Sequence, residues 1–269
     1  MFADPIVPYV VVCVVALLVS ALTLYSGFGL GTLLMPAFAL FFPVEVAVAA
    51  TAIVHLLTNL FKLGLLWRHA DAGVVLRFAL PGAALAVVGA SLLTALAGLP
   101  VLAQYAIGGQ TYAIVPSRLI IGALILFFAL VELVPVLGRI VRFGRPHLLL
   151  GGAISGFLGG LSGHQGALRS AVLIRCGLEK EAFIATGVVC AVVVDLSRLA
   201  VYGVVFYAQS FGQLTASGGF ELVAAATAAA FVGVLVSKRL MRKVTMHAIH
   251  RLVGIMLVLL AVTLAAGLI

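Results

Sequence analysis

The chain has 269 residues, 64% of them hydrophobic and only 9% charged, with a mean hydropathy of +1.31. No water-soluble domain hides that much apolar surface, so the chain reads as a polytopic membrane protein with no separate soluble catalytic or nucleic-acid-binding domain. The net charge of +8 reads as Lys and Arg setting topology from short loops, not as a nucleic-acid footprint.

Apolar runs predict an all-α fold of ten helical pieces, at 6–26, 30–42, 45–67, 73–97, 117–138, 147–162, 167–177, 182–207, 217–237 and 249–268. The chain opens Met1-Phe2-Ala3-Asp4-Pro5 without a basic n-region, and the run from Ile6 to Leu24 exceeds a signal h-region, so the first piece is expected to be a retained helix. The second and seventh pieces are short. At about 1.5 Å per residue each reaches only part way through a hydrocarbon core of about 30 Å. Each follows a glycine-rich break and is expected to be the returning limb of a hairpin buried in the protein.

The same unit occurs twice. Gly27, Gly29, Gly31, Thr32 and Pro36, then Ala47, Ala50 and Thr51, are echoed by Gly163, His164, Gln165, Gly166 and Arg169, then Ala182, Ala185 and Thr186. Gly31 and Gly166 stand 135 residues apart, as do Thr51 and Thr186. Val87-Val88-Gly89 is echoed by Phe231-Val232-Gly233. Two membrane repeats are expected, over 1–140 and 141–269.

Positive charge sets orientation. Arg68 and Arg77, then Arg139, Arg142 and Arg145, then Arg175 and Lys180, then Lys238, Arg239, Arg242, Lys243 and Arg251 mark four cytoplasmic connections. The connections near 43–46, 98–116 and 208–216 carry no Lys or Arg and read as extracytoplasmic. The two copies then face opposite ways, which is an inverted-topology repeat, and both termini fall outside. Such repeats point to a transporter with its site between the halves.

Lys62, Arg169, Asp195 and Arg198 fall inside predicted spans, with His55 and His164. A charge at mid-membrane costs at least about 2.5–3.5 kcal/mol on insertion scales, so it faces protein, water or a partner. Thr51, His55, Asn59 and Lys62 share one face of the third piece. Lys62 either lines a transport path or snorkels to the edge near Arg68. Asp195 and Arg198 stand three apart and can pair on one helix, as a site or as a packing lock.

The turns at Gly29, Gly31 and Thr32, and at Gly163, His164, Gln165 and Gly166, each open a short helix whose free N–H groups and positive dipole end suit an anion. The glycines serve close helix packing equally well. Arg169 can supply a bidentate fork for an oxyanion. His164 either couples substrate to protons or only donates a hydrogen bond.

Cys13, Cys176 and Cys190 are odd in number and form no CxxC, which supports neither a disulfide framework nor a metal site. No cofactor is expected, and no GxxxxGK[ST] motif for ATP occurs. Gly89, Ala90, Gly122, Ala123, Gly233 and Gly254 fit internal packing or a homodimer face.

On its Gly-x-Gly-x-Gly turn, Pro36, the Ala-rich stretch to Thr51 and a second glycine-rich copy, the chain resembles the sulfite exporter TauE/SafE family, also called the toluene sulfonate uptake permease family. The resemblance covers essentially the whole chain. It departs at Leu30, at His164-Gln165 and at Ala171, where Pro36 has no counterpart. It implies a non-enzyme of the bacterial inner membrane that moves sulfite, a sulfonate or a similar small anion through the bilayer.

The leading expectation is a secondary transporter working by alternating access at a cationic site. An anion channel is the alternative. A further one is an intramembrane serine hydrolase built on Gly160-Leu161-Ser162-Gly163, with His55 or His164 as base.

Overall fold

The computed structural model describes residues 6–26, 30–133, 145–209, 219–240 and 246–268. Gly29, Arg139, Arg142, the repeat boundary at residue 140 and the loop 210–218 lie outside the described residues, as do the surroundings of Gly254 and of the basic run from Lys238 to Arg251.

The apolar runs become helices α1 (Ile6–Ser26), α2 (Leu30–Ala39), α3 (Val44–Leu66), α4 (Ala72–Ala97), α5 (Pro116–Leu133), α6 (Leu148–Ser162), α7 (Gly166–Leu173), α8 (Lys180–Gln209), α9 (Gly219–Leu240) and α10 (Met246–Ala265). The chain is an all-α polytopic membrane protein. By length and composition four stretches can cross a membrane: Val44–His69, Ala72–Ala97, Lys180–Val204 and Gly219–Ser237. Two-thirds (67%) of the first is buried against one-third (33%) of the second, so α3 runs through the middle of the molecule and α4 along its flank. Leu76, Leu80, Val87, Val88 and Leu92 on α4 stay exposed, as a lipid-facing helix requires.

Packing follows a regular scheme. Helix α4 packs on α6, α1 on α9, α5 on α10, and α3 on α8, with α4 also against α8 and α9 against α3. Exchanging the first five helices for the second five carries α4–α6 into α9–α1 and α4–α8 into α9–α3, and leaves α3–α8 and α5–α10 unchanged. The short α2 lies on α1 and α3, and the short α7 on α6 and α8.

The α4–α6 crossing is set by small residues. A Cβ added at Gly152, Gly156 or Gly160 would overlap the carbonyls of Phe78, Gly82 and Ala86 respectively, and one at Gly89 would overlap that of Phe157. The two backbones are therefore in direct contact, the small-residue packing that substitutes for a hydrophobic drive between helices in lipid. Gly233 meets the Leu17 carbonyl in the same way, and a Cβ at Gly122 would lie 3.0 Å from that of Ala261. Internal packing accounts for Gly89, Ala90, Gly122 and Gly233, while Ala123 is exposed.

One regular element escaped the hydropathy pattern. The connection 98–116 holds a hairpin, β1 (Ala103–Ile107) and β2 (Gln110–Ile114), paired antiparallel with Tyr105 opposite Tyr112. Gly108 and Gly109 form its two-residue turn with φ of 60° and 82°, the paired left-handed geometry that favours glycine. The Tyr105 hydroxyl donates to the Ala266 carbonyl and pins the hairpin to the end of α10.

Helix α4 starts at Asp71, whose carboxylate accepts from the Val74 N–H at 3.0 Å. Asp71→Ala is expected to lower stability by about 1 kcal/mol through loss of this cap, measured as a drop in melting temperature. An unchanged melt would show that the cap is dispensable.

Candidate functional site

The site grows from the end of α6. Gly163 adopts φ 81° and ψ −3° and its N–H returns to the Gly159 carbonyl at 3.0 Å. That left-handed residue stops α6 and reverses the chain. The Ser155 hydroxyl holds the turn by donating to the Gln165 carbonyl at 2.9 Å. Helix α7 then starts at Gly166 with no side chain capping its first N–H groups.

The turn of the first half meets this one. A Cβ on Gly31, at the start of α2, would lie 2.9 Å from the Gly163 carbonyl and 3.9 Å from His55 Cδ2. Gly31 is therefore confined to glycine by contact, and Gly163 by its left-handed backbone. Thr32 is buried beside Gly31.

Beneath the two turns α3 and α8 bring their polar faces together. Asp195 is fully buried and accepts from four donors. Its Oδ1 takes Arg198 Nε at 3.0 Å, Arg198 Nη2 at 2.7 Å and Gln165 Nε2 at 2.8 Å. Its Oδ2 lies 2.5 Å from His55 Nδ1. A carboxylate only accepts, so Nδ1 carries the proton. Asn59 Nδ2 lies 3.1 Å from His55 Nδ1 and 3.2 Å from Nε2, so the amide sits against both ring nitrogens.

Arg198 also donates from Nη1 to the Gly159 carbonyl at 3.1 Å, and the Tyr202 hydroxyl donates to the Gly160 carbonyl. A cation and a phenol thus satisfy the closing carbonyls of α6. Arg169 reaches from α7 to α8, where a Cβ at Gly187 would lie 3.8 Å from its Nε. Lys62 is only 6% exposed, which sets aside the snorkelling alternative, and the charge of Arg169 acts on it. Among the described residues no hydrogen-bond or ion-pair partner is found for Lys62.

All the anticipated residues that are described are buried: Gly31, Thr32, His55, Asn59, Lys62, Gly163, His164, Gln165, Gly166, Arg169, Asp195 and Arg198. Tyr202 and Gly187 were not anticipated. Tyr202 stands one turn after Arg198 and could have been found as the next polar residue on that face. Gly187 carries no signal beyond its small size.

The serine arrangement differs from a hydrolase. The Ser162 hydroxyl donates to the Leu158 carbonyl at 3.0 Å. His164 Nδ1 lies 2.9 Å from the Ser162 carbonyl, to which it donates, and 3.2 Å from the hydroxyl. The ring nitrogen nearest the hydroxyl therefore holds a proton and is no base toward it. The His55 Nδ1 proton faces Asp195 instead.

Among the described residues no group of three or more His, Cys, Asp or Glu is arranged to hold a metal. Lys62, Arg169 and Arg198 stand with one carboxylate, Asp195.

In comparison with known proteins, the family model described as Sulfite exporter TauE/SafE matches residues 12–264. No curated protein and no solved structure matches the chain.

Proposed function

We propose a function from one premise: the chain belongs to the sulfite exporter TauE/SafE family, a family of membrane anion transporters. The protein carries a small anion as a secondary transporter of the bacterial inner membrane, with sulfite or an organosulfonate as its cargo.

The observation that carries this reading is the charge balance of the buried cluster. Three basic side chains share it with one carboxylate among the described residues. Gathering basic groups in a membrane interior is costly, and an anionic cargo offsets that cost. The uncapped start of α7 adds backbone donors beside the same cations.

The cargo reaches this cluster by alternating access. The halves 1–140 and 141–269 act as inverted repeats, and the packing scheme that survives exchange of the two sets of five helices supports this. The two touching glycine turns then form the centre about which the halves rock.

Flux of labelled sulfite into liposomes loaded with unlabelled sulfite tests the reading. Wild-type protein is expected to show counterflow. Arg169→Gln and Lys62→Gln are each expected to lower it by at least about tenfold while the protein stays monodisperse. Wild-type flux in both variants would sink the site, and conduction without counterflow would make the protein a channel.

A further inference from the structure

We infer that His55 carries a proton together with the anion, which makes the protein a proton–anion symporter. The inference rests on the transport reading and names its coupling ion.

His55 joins the two halves through an exchangeable proton. It stands on α3, and its Nδ1 lies 2.5 Å from Oδ2 of Asp195 on α8. The two residues are 140 positions apart in the chain, and both are buried. A rocking motion of the halves makes and breaks contacts of this kind. Since Nδ1 donates to the carboxylate, Nε2 is the nitrogen that gains and loses a proton. Histidine is the side chain whose proton exchanges near neutral pH. His164 sits differently, with its Nδ1 on the Ser162 carbonyl within its own half.

The surroundings suit both states of the ring. Asn59 Nδ2 lies against Nδ1 and Nε2 alike. A side-chain amide has a donor on one side and an acceptor on the other. A half-turn about χ2 therefore puts Oδ1 against a protonated Nε2, where Nδ2 meets a bare one. Asp195 takes Arg198 and Gln165 on Oδ1 and His55 on Oδ2. A charge gained by the ring thus meets a carboxylate already held in place, and the added Coulomb attraction holds a loaded carrier together.

The ring also faces the place of the cargo. A Cβ on Gly31 would lie 3.9 Å from His55 Cδ2, the carbon bonded to Nε2, and 2.9 Å from the Gly163 carbonyl. The Nε2 edge therefore borders the two touching glycine turns. An anion held there favours a proton on Nε2, and the proton favours the anion by the same factor. In each cycle Nε2 takes one proton from the side where the anion enters and returns it to the side where the anion leaves.

The other charges set the order of events. Asp195 and Arg198 on α8 and Arg169 on α7 act on the ring. Lys62 follows two turns later on α3. Helix α2 carries no ionisable side chain, and Arg77 on α4 and Glu221 on α9 are exposed. The arginines oppose a proton on the ring, while Asp195 and an anion favour it, so proton uptake accompanies cargo binding.

Calorimetric titration of the purified protein with sulfite at pH 7, in buffers of different ionisation heat, counts the protons taken up per anion bound. Counterflow of labelled sulfite in liposomes runs beside it. His55→Asn is the chosen variant, because its amide nitrogen keeps a donor at the position of Nδ1 and removes Nε2. Sulfite's own proton is common to both proteins, so the difference between them belongs to the ring. Wild type is expected to take up more protons than His55→Asn, by up to about one per anion. Its sulfite affinity is expected to fall by up to about tenfold more per pH unit on the alkaline side than that of the variant. Equal proton counts, with wild-type counterflow intact, would overturn the coupling and leave the transport reading standing. Absence of sulfite binding and of counterflow in wild type would remove that reading and the coupling with it. His55→Gln replaces His55→Asn if the latter is not monodisperse. If neither variant folds, the wild-type count decides, and a count no larger than sulfite's own titration supplies would overturn the coupling.

Discussion

Asp195→Ala is expected to destabilise the protein by about 3–5 kcal/mol, because it leaves buried cations without their one acid. Four hydrogen-bonding contacts from three residues end on this carboxylate. Arg198 would keep its contact with the Gly159 carbonyl but lose its counter-charge. Gln165 would lose the anchor that ties the second glycine turn to α8, and His55 the one that ties α3 to α8. The measurement is thermal unfolding in detergent, with the yield of monodisperse protein. Asp195→Asn should fall between wild type and Asp195→Ala, since it keeps an acceptor oxygen and loses the charge. Replacing both members of the pair, Asp195→Leu with Arg198→Met, should recover part of the loss, because an apolar pair carries no buried charge. A melting temperature for Asp195→Ala equal to that of wild type would show that the cluster is not electrostatically coupled.

Gly156→Ala is expected to cost at least about 2 kcal/mol, near the upper range for overpacking a tight core. The added methyl would overlap the Gly82 carbonyl. That atom is backbone, so relief requires moving α4 or α6 as a whole. The shift would travel to the turn at Gly163, seven residues after Gly156, and disturb the site as well as the fold. Gly64→Ala is the control. Nothing lies within 4 Å of a Cβ there, and a helix-interior glycine replaced by alanine gains up to about 1 kcal/mol in propensity. Equal melts for Gly156→Ala and Gly64→Ala would mean that the α4–α6 crossing is looser than its geometry implies.

Helix positions were legible because a membrane-spanning backbone must bond internally, which leaves long apolar runs as the signal. The ten runs match ten helices with end shifts of a few residues, such as α2 ending at Ala39 and α7 at Leu173. The hairpin at 103–114 was missed because hydropathy carries no strand signal of that length. Its clue was Gly108-Gly109 between Ala103-Gln104-Tyr105-Ala106-Ile107 and Gln110-Thr111-Tyr112-Ala113-Ile114.

The sequence by itself determined which residues could form a site. Charges inside apolar runs are too costly to be idle, so Lys62, Arg169, Asp195 and Arg198 announced themselves, and helical spacing joined His55, Asn59 and Lys62 on one face. Only the tertiary structure decided how they pair. Asp195 and His55 lie 140 residues apart, and no periodicity within one helix reports a contact between two. That contact, with the one from Gln165, made Asp195 a hub that joins α3, the second glycine turn and α8. The role of each buried ion follows from which partner reaches it first, and that is a property of packing.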